Sequence, residues 1–263
     1  MCATEAGGGR YGVRMALTSH LRVVLHQTQG PDNLGAVARL AANFGVAELV
    51  LSDPQLQEMD GARRMAVHAG HVLEAARIVP TLPEALEDVV LAVGTTSRQN
   101  LRGMPTLSPE EAVALMAKHS QRGKVALVLG GEKRGMSDED LSHCQQALVI
   151  PTRPEQPSMN LAQAAAVLMY LCAREQVEAP PPGAVDGAPL RLVQSLQAWM
   201  RQVLLGVGFL NTQGPDALLS EMIHSLTRSA LTRREVELWL SAFKQLSRHV
   251  VGPTARPESE KKG

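Results

Sequence analysis

The chain is poor in aromatic residues and cysteine, carries no excess of either charge, and has no apolar run long enough to cross a bilayer. Aromatics make up 3% of its 263 residues, which argues against a base-stacking platform for single-stranded nucleic acid. Its three cysteines, Cys2, Cys144 and Cys172, are too few and too scattered for a disulfide framework or a cysteine metal site. They suit a reducing compartment, and a cytoplasmic protein is expected. The 26 basic and 26 acidic residues cancel, whereas a dedicated nucleic-acid domain often has a basic excess. A polyanionic partner must then be held by local patches: Arg63 with Arg64, Arg98 with Arg102, Lys133 with Arg134, or Arg228 with Arg233 and Arg234. The longest nearly apolar run, Leu161 to Ala173, contains Gln163 and falls short of the roughly 20 residues of a membrane span, so no membrane partner is expected. The first twenty residues lack an apolar stretch of the signal-peptide kind.

What is present is enough apolar residue, 44%, for a sizeable core. From residue 21 onward short apolar runs alternate with helical patterns. Leu21 to Leu25, Glu48 to Leu51, Arg77 to Val79, Val89 to Val93, Val125 to Leu129 and Ala147 to Ile150 read as strands. Leu34 to Phe44 has apolar residues three and four apart and Gly45 as C-cap, and Ser108, Pro109 and Glu111 make a helix start signal. This alternation predicts an α/β fold with a mostly parallel sheet and helices on both faces. The stretch VEAPPPGAVDGAP, residues 177–189, breaks the pattern and reads as a semi-rigid linker. Beyond it the pattern is helical: Leu190 to Leu205, Pro215 to Ser229, and a segment from Thr232 whose Glu235 completes a capping box. The expected organisation is a mobile N-terminus over 1–20, an α/β domain over 21–176, the linker, a small all-helical extension over 190–250 and a disordered tail over 251–263. The extension is locally basic, with seven Lys and Arg against four Asp and Glu.

Ligands of an open parallel sheet sit beyond the carboxyl ends of its strands, so the segments that follow strands carry the chemistry. In QTQGPDNLGAVARLAANFG, residues 27–45, Asp32 and Asn33 can cap a helix, and Gly35 and Arg39 lie four apart on one face. A capped helix with a solvated arginine explains the same residues. In LVLGGEKRGMSDEDL, residues 127–141, a strand runs into a glycine-rich turn and a helix capped by Ser137. Met136 after Gly135 excludes a phosphate loop, which needs Lys and then Ser or Thr there. No GxGxxG opens a helix after the first strand, while Gly130 and Gly131 permit close backbone approach. In VIPTRPEQPSMNLAQAAAV, residues 149–167, Pro151, Pro154 and Pro157 stiffen a polar loop ahead of Ser158, Asn160 and a helix of small residues. Ser158 also suits a plain N-cap, and no histidine and acid motif makes it a protease-type nucleophile. His68 and His71 lack the HExxH pattern, and no metal site is expected.

Taken in order, NLGAVAR, LGGEKRGMS and IPTRPEQPSMNLA resemble the three motifs of the SPOUT superfamily, specifically its SpoU or TrmH-like RNA 2′-O-methyltransferases, over Leu21 to about Glu175. Residues 192–246 resemble the helical extension of the TrmJ branch, which methylates the pyrimidine ribose at nucleotide 32 of the tRNA anticodon loop. The resemblance implies a deep C-terminal trefoil knot, a homodimer, S-adenosylmethionine as cofactor and tRNA as partner. It implies that Thr95, Thr96 and Ser97 of GTTSR, with Gly130, Ile150 and the run Pro157, Ser158, Met159 and Leu161, line the cofactor pocket. Asn33, Arg39, Glu132, Ser158 and Asn160 match the family's functional polar positions. Gln156 stands where the TrmJ pattern usually carries tyrosine, and Met159 where leucine is more frequent, which bears on nucleotide preference. The alternatives are methylation of another tRNA or ribosomal RNA ribose, or a catalytically silent RNA-binding scaffold.

Overall fold

The apolar runs form one parallel sheet, and the segments between them form most of the helices that cover it. The computed structural model describes residues 14–99, 101, 104, 106–178, 186–210, 215–227 and 231–250. The first half comprises β1 (Arg14–Ala16), a short 3-10 turn (Leu17–His20), β2 (Leu21–His26), α1 (Pro31–Phe44), β3 (Glu48–Ser52), α2 (Asp60–Ala66), α3 (Gly70–Ala75), β4 (Arg77–Val79), α4 (Leu82–Leu86) and β5 (Leu91–Thr95). There follow β6 (Thr106–Leu107), α5 (Pro109–Ser120), β7 (Val125–Leu129), α6 (Asp138–Ser142), β8 (Gln146–Leu148), α7 (Leu161–Arg174), β9 (Gln176–Glu178), α8 (Leu190–Gly206), α9 (Pro215–Thr227) and α10 (Arg233–Val250).

Among the described residues seven strands pair in the order β4-β3-β2-β7-β5-β8-β6, every neighbour parallel. Leu25 lies level with Leu51 and Leu129, so β2, β3 and β7 end together and deliver their following loops to one edge. Successive residues of a strand face opposite sides. Leu21, Val23 and Leu25 of β2 and Val125, Leu127 and Leu129 of β7 pack with α1, α5 and α7. Val24, Ala126 and Val128 join a second cluster with Leu86 of α4, Leu141 of α6, Leu196 and Trp199 of α8 and Val236 of α10.

That second cluster changes the picture of the C-terminal helices. They share apolar contact with the sheet's second face rather than hanging from it, and the Leu190 N–H bonds the Val89 carbonyl at 2.9 Å. The same bond employs Val89 ahead of β5, which begins at Leu91 rather than Val89. Residues 14–20 of the start expected to be mobile are ordered: β1 pairs antiparallel with β9, and Leu17 is fully buried with its N–H on the Glu175 carbonyl. The proposed linker likewise begins inside β9, and Gly187 bridges to Thr232. Residues 1–13, 179–185 and 251–263, with Arg102 and Arg228, lie outside the described residues.

Candidate active site

The loops after β2, β7 and β8 meet beside β5. Helix α1 begins at Pro31, three residues earlier than the apolar pattern indicates, because proline at N1 needs no N–H partner. Its N-cap is Gly30, so Asp32 and Asn33 lie in the first turn and are not caps. The capping group comes from far along the chain. Glu132, in the turn after β7, accepts from the N–H groups of Gln29 and Gly30, each at 2.9 Å, from Asn33 Nδ2 at 3.0 Å and from Thr28 Oγ1 at 3.3 Å. A carboxylate at a helix N-terminus also complements the helix dipole. Burial pulls the Glu132 pKa upward, and the hydrogen bonds from Asn33, Gln29 and Gly30 outweigh it, leaving it below the ordinary carboxylate value.

The string continues into the third segment. Asn160 Nδ2 donates to Asn33 Oδ1 at 3.0 Å, while Asn160 Oδ1 accepts from the Ala162 and Gln163 N–H groups and caps α7. Asn160, not Ser158, is therefore the N-cap; Ser158 sits two residues upstream, exposed. Thr152 Oγ1 donates to the Pro157 carbonyl at 3.0 Å and closes the proline-marked loop on itself.

The glycines of the second segment allow a tight fold. A Cβ on Gly130 would lie 2.4 Å from the Gly135 carbonyl carbon, and one on Gly131 would lie 2.4 Å from the Gln27 carbonyl oxygen. Gly35 serves packing between helices instead, since a Cβ there would lie 2.2 Å from the Ala62 carbonyl oxygen of α2. Behind the turn, Ser137 and Asp140 form a capping box, and Asp140 Oδ1 lies 3.1 Å from His26 Nε2, whose Nδ1 is 3.1 Å from Ser52 Oγ. This Ser-His-Asp string is no hydrolase triad, because Ser52 is fully buried; it ties α6 to β2 and β3.

A cleft of about 330 Å³ lies between these loops, within the range of small-molecule sites. Thr95, Thr96, Ser97, Gly130, Ile150, Pro157, Ser158, Met159 and Leu161 all line it, as does Glu132. Sequence reasoning missed Leu129, Leu148 and Ala164 of its apolar wall and Thr152, and it singled out Lys133 and Arg134 as a basic patch without placing them at this cleft. The strand-end positions of Leu129 and Leu148 were the available signal. Asn33 and Asn160 do not line the cleft and reach it through Glu132. Arg39 stands apart, exposed on α1 about 9 Å along the helix axis from Asn33 and without a side-chain partner among the described residues. Of the other patches, Arg63 pairs with Asp60, Arg64 with Asp32 and Arg98 with Asp138. No group of three or more metal-ligating side chains occurs among the described residues, and no described helix is long and apolar enough to cross a membrane.

A parallel α/β sheet whose strand-end loops are strung around one cleft defines a small-molecule-binding enzyme of the open-sheet class. The model of the SpoU rRNA Methylase family matches residues 20–170, more than half of the chain. The chain belongs to that family. It is 33% identical over 241 residues to the tRNA (cytidine/uridine/adenosine-2′-O-)-methyltransferase TrmJ of Pseudomonas aeruginosa strain UCBPP-PA14, covering 84% of this chain and 91% of the relative. It is 32% identical over 231 residues to the tRNA (cytidine/uridine-2′-O-)-methyltransferase TrmJ of Klebsiella pneumoniae, covering 84% and 94%. Among solved structures, TrmJ from Z. mobilis ZM4 superposes with a TM-score of 0.73 at 25% identity, covering 86% of this chain and 98% of that one.

Proposed function

We propose that the protein is an S-adenosylmethionine-dependent tRNA ribose 2′-O-methyltransferase. In this reading it acts on the pyrimidine at nucleotide 32, as a homodimer whose chain near the third segment forms a trefoil knot. Membership of the SpoU family makes it an RNA methyltransferase, and the names of the relatives support tRNA and the ribose 2′-oxygen. The observation that carries the reading is the Glu132–Asn33–Asn160 string, which draws three distant segments to one cleft.

The residues of the cleft fit the cofactor. Leu129, Leu148, Ile150 and Leu161 offer an apolar wall for an adenine, and the Thr95, Thr96 and Ser97 positions offer polar groups at its edge. Bound there, S-adenosylmethionine supplies a methyl group on a positively charged sulfur, open to in-line attack by a ribose oxygen. The chain's own task is positioning, which accounts for much of the rate in such transfers. Ser158 at the cleft orients the ribose, while Asn160 and Glu132 fix the loops that present it. Arg39 holds the substrate phosphate and stabilises the developing alkoxide; a guanidinium keeps its proton and is a poor base. Because Arg39 is not among the residues that line its own cleft, a second copy supplies it in this reading, so the active unit is the dimer. The basic C-terminal helices then add phosphate contacts.

The test is incubation of the purified protein with unmodified tRNA and the cofactor, followed by mapping of the 2′-O-methyl group. A methyl on the nucleotide 32 pyrimidine supports the reading in full. A second reading keeps the reaction and moves the nucleotide; Gln156, in the loop before Ser158, favours it, and methylation at another ribose would establish it.

A further inference from the structure

The cleft just described has a neighbour. A second cleft, of about 490 Å³, opens at the carboxyl ends of β2 and β3 and is lined by Gln27, Gln29, Asp53, Gln55, Lys133 and Arg134 together with the glycines of the turn. Lys133 and Arg134 border both clefts, so the turn after β7 is a shared wall. Two of the lining residues hold a backbone conformation that side chains rarely adopt: Gln27 at φ 54° and Asp53 at φ 46°. Strain of this kind persists where the surroundings over-determine it and gathers at ligand sites. Here the N–H of Gln27 is bonded to the Ser52 carbonyl at 2.8 Å and that of Asp53 to the Val79 carbonyl at 2.9 Å.

One carboxylate sets the chemistry of this cleft. Asp53 Oδ2 accepts from Gln27 Nε2 at 2.9 Å, and Oδ1 accepts from Gln55 Nε2 at 2.8 Å. Gln55 Nε2 also donates to the Asp53 carbonyl at 3.1 Å. A carboxylate only accepts, so both glutamines must turn their NH₂ groups toward it and their carbonyl oxygens away. Around Asp53 the cleft therefore presents acceptors: Gln27 Oε1, Gln55 Oε1 and the remaining lone pairs of Asp53. The side chains of Lys133 and Arg134 at its edge have no partner among the described residues. No lining residue is aromatic, so a base held here is read by its edge and not by stacking.

We propose that this cleft is a second nucleotide subsite. It takes the amino-bearing base of an unpaired RNA nucleotide other than the methylated one, with the RNA phosphate on Lys133 and Arg134. The inference rests on the RNA-methyltransferase reading above and adds a determinant of substrate choice. Cytosine, adenine and guanine each carry an exocyclic amine that donates to such acceptors, in the way acidic side chains accept from cytosine N4. Uracil has no exocyclic amine and offers only its N3–H between two carbonyl oxygens, so it is discriminated against.

The test is methyl transfer to a tRNA anticodon stem-loop in which each unpaired amino-bearing nucleotide, other than the methylated one, is replaced in turn by uridine. In the unaltered protein one replacement should raise KM about tenfold at unchanged kcat, the scale of losing one good base contact. Gln55→Ala should shrink the difference between the original and replaced RNAs. Asp53→Asn should narrow or reverse the preference, because an amide partner lets one glutamine present its NH₂ group. Asparagine tolerates the left-handed backbone, and both variants should bind S-adenosylmethionine with unchanged affinity by calorimetry, which checks their folding. Equal use of every RNA by the unaltered protein, or the same preference in both variants, would overturn the subsite and leave the methyltransferase standing. Absence of methyl transfer to any tRNA would overturn both.

Discussion

The two ends of the parallel sheet carry polar clusters of similar composition and opposite character. At the amino end Arg22, 3% exposed, is closed in by its own chain. Its Nε bonds Glu48 Oε2 at 2.7 Å, its Nη1 bonds Asp88 Oδ1 at 2.5 Å and the Ala85 carbonyl at 2.8 Å, and its Nη2 bonds Asp88 Oδ2 at 3.0 Å. Lys124 joins the cluster through Glu48. At the carboxyl end the Glu132–Asn33–Asn160 string is equally well bonded, yet it holds up a rim where Ser158 and the cations Lys133 and Arg134 are exposed and the cations unpaired among the described residues. The difference is one of unfinished bonding. A polar group whose partners all lie in the chain serves the fold, while one kept in place without a partner awaits something outside it.

Substitutions should separate the two ends. The largest effect expected is on chemistry: Arg39→Ala should lower methyl transfer at least about a hundredfold with stability and cofactor affinity intact. Arg39→Lys should rescue it poorly, since lysine lacks the bidentate fork; single-turnover rates on tRNA with each variant check both. At the other end Arg22→Met should cost about 2 kcal/mol of unfolding free energy. That is less than a fully buried pair costs, because Glu48 and Asp88 are partly exposed. Activity per folded molecule should stay unchanged, and denaturant melts beside kinetics read the contrast. Glu132→Ala should blur the comparison, costing about 1 kcal/mol as the loss of a helix cap and slowing methyl transfer about tenfold by loosening the loops.

Acid sharpens the comparison least but most generally. Burial pushes the Glu48 and Asp88 pKa values up, and the hydrogen bonds and charges of Arg22 and Lys124 outweigh it, so both lie below their ordinary values. For a carboxylate lowered on folding, the stabilisation is full above its unfolded pKa, near 4, and is lost as pH falls through the lower folded value. The unaltered protein should lose stability as pH falls below about 4, and Arg22→Met should lose less over the same interval. Parallel melts at pH 3 and pH 6 measure it.

Much of the sheet was legible because strands buried on both faces read as continuous apolar runs, as Val125–Leu129 does. The three-residue β1 and β9 were not, since strands of three residues are too short to show a pattern. The helix starts at Ser108, Ser137 and Thr232 were legible because a cap and its partners lie within four residues. The cap on α1 was not, because Glu132 lies about a hundred residues away, and the Asp and Asn of the first turn imitate a local cap. Proline and glycine after Glu178 suggested a boundary, but the apolar faces of α8 and α10 that cross it look the same whether they pack on each other or on the sheet. The residues of the 330 Å³ cleft could be assembled from motifs whose order matches a family. The Gln27 and Asp53 cleft could not, as nothing in the residue types announces their backbone angles.

The measurement closest to the central claim is mass-spectrometric mapping of tRNA fragments after reaction with the purified protein and S-adenosylmethionine, run beside Arg39→Ala. The account predicts one added methyl on the ribose of the anticodon-loop pyrimidine at nucleotide 32, at least about a hundredfold slower with the variant. A methyl on a base atom, no methyl at all, or an undiminished rate with the variant would contradict it.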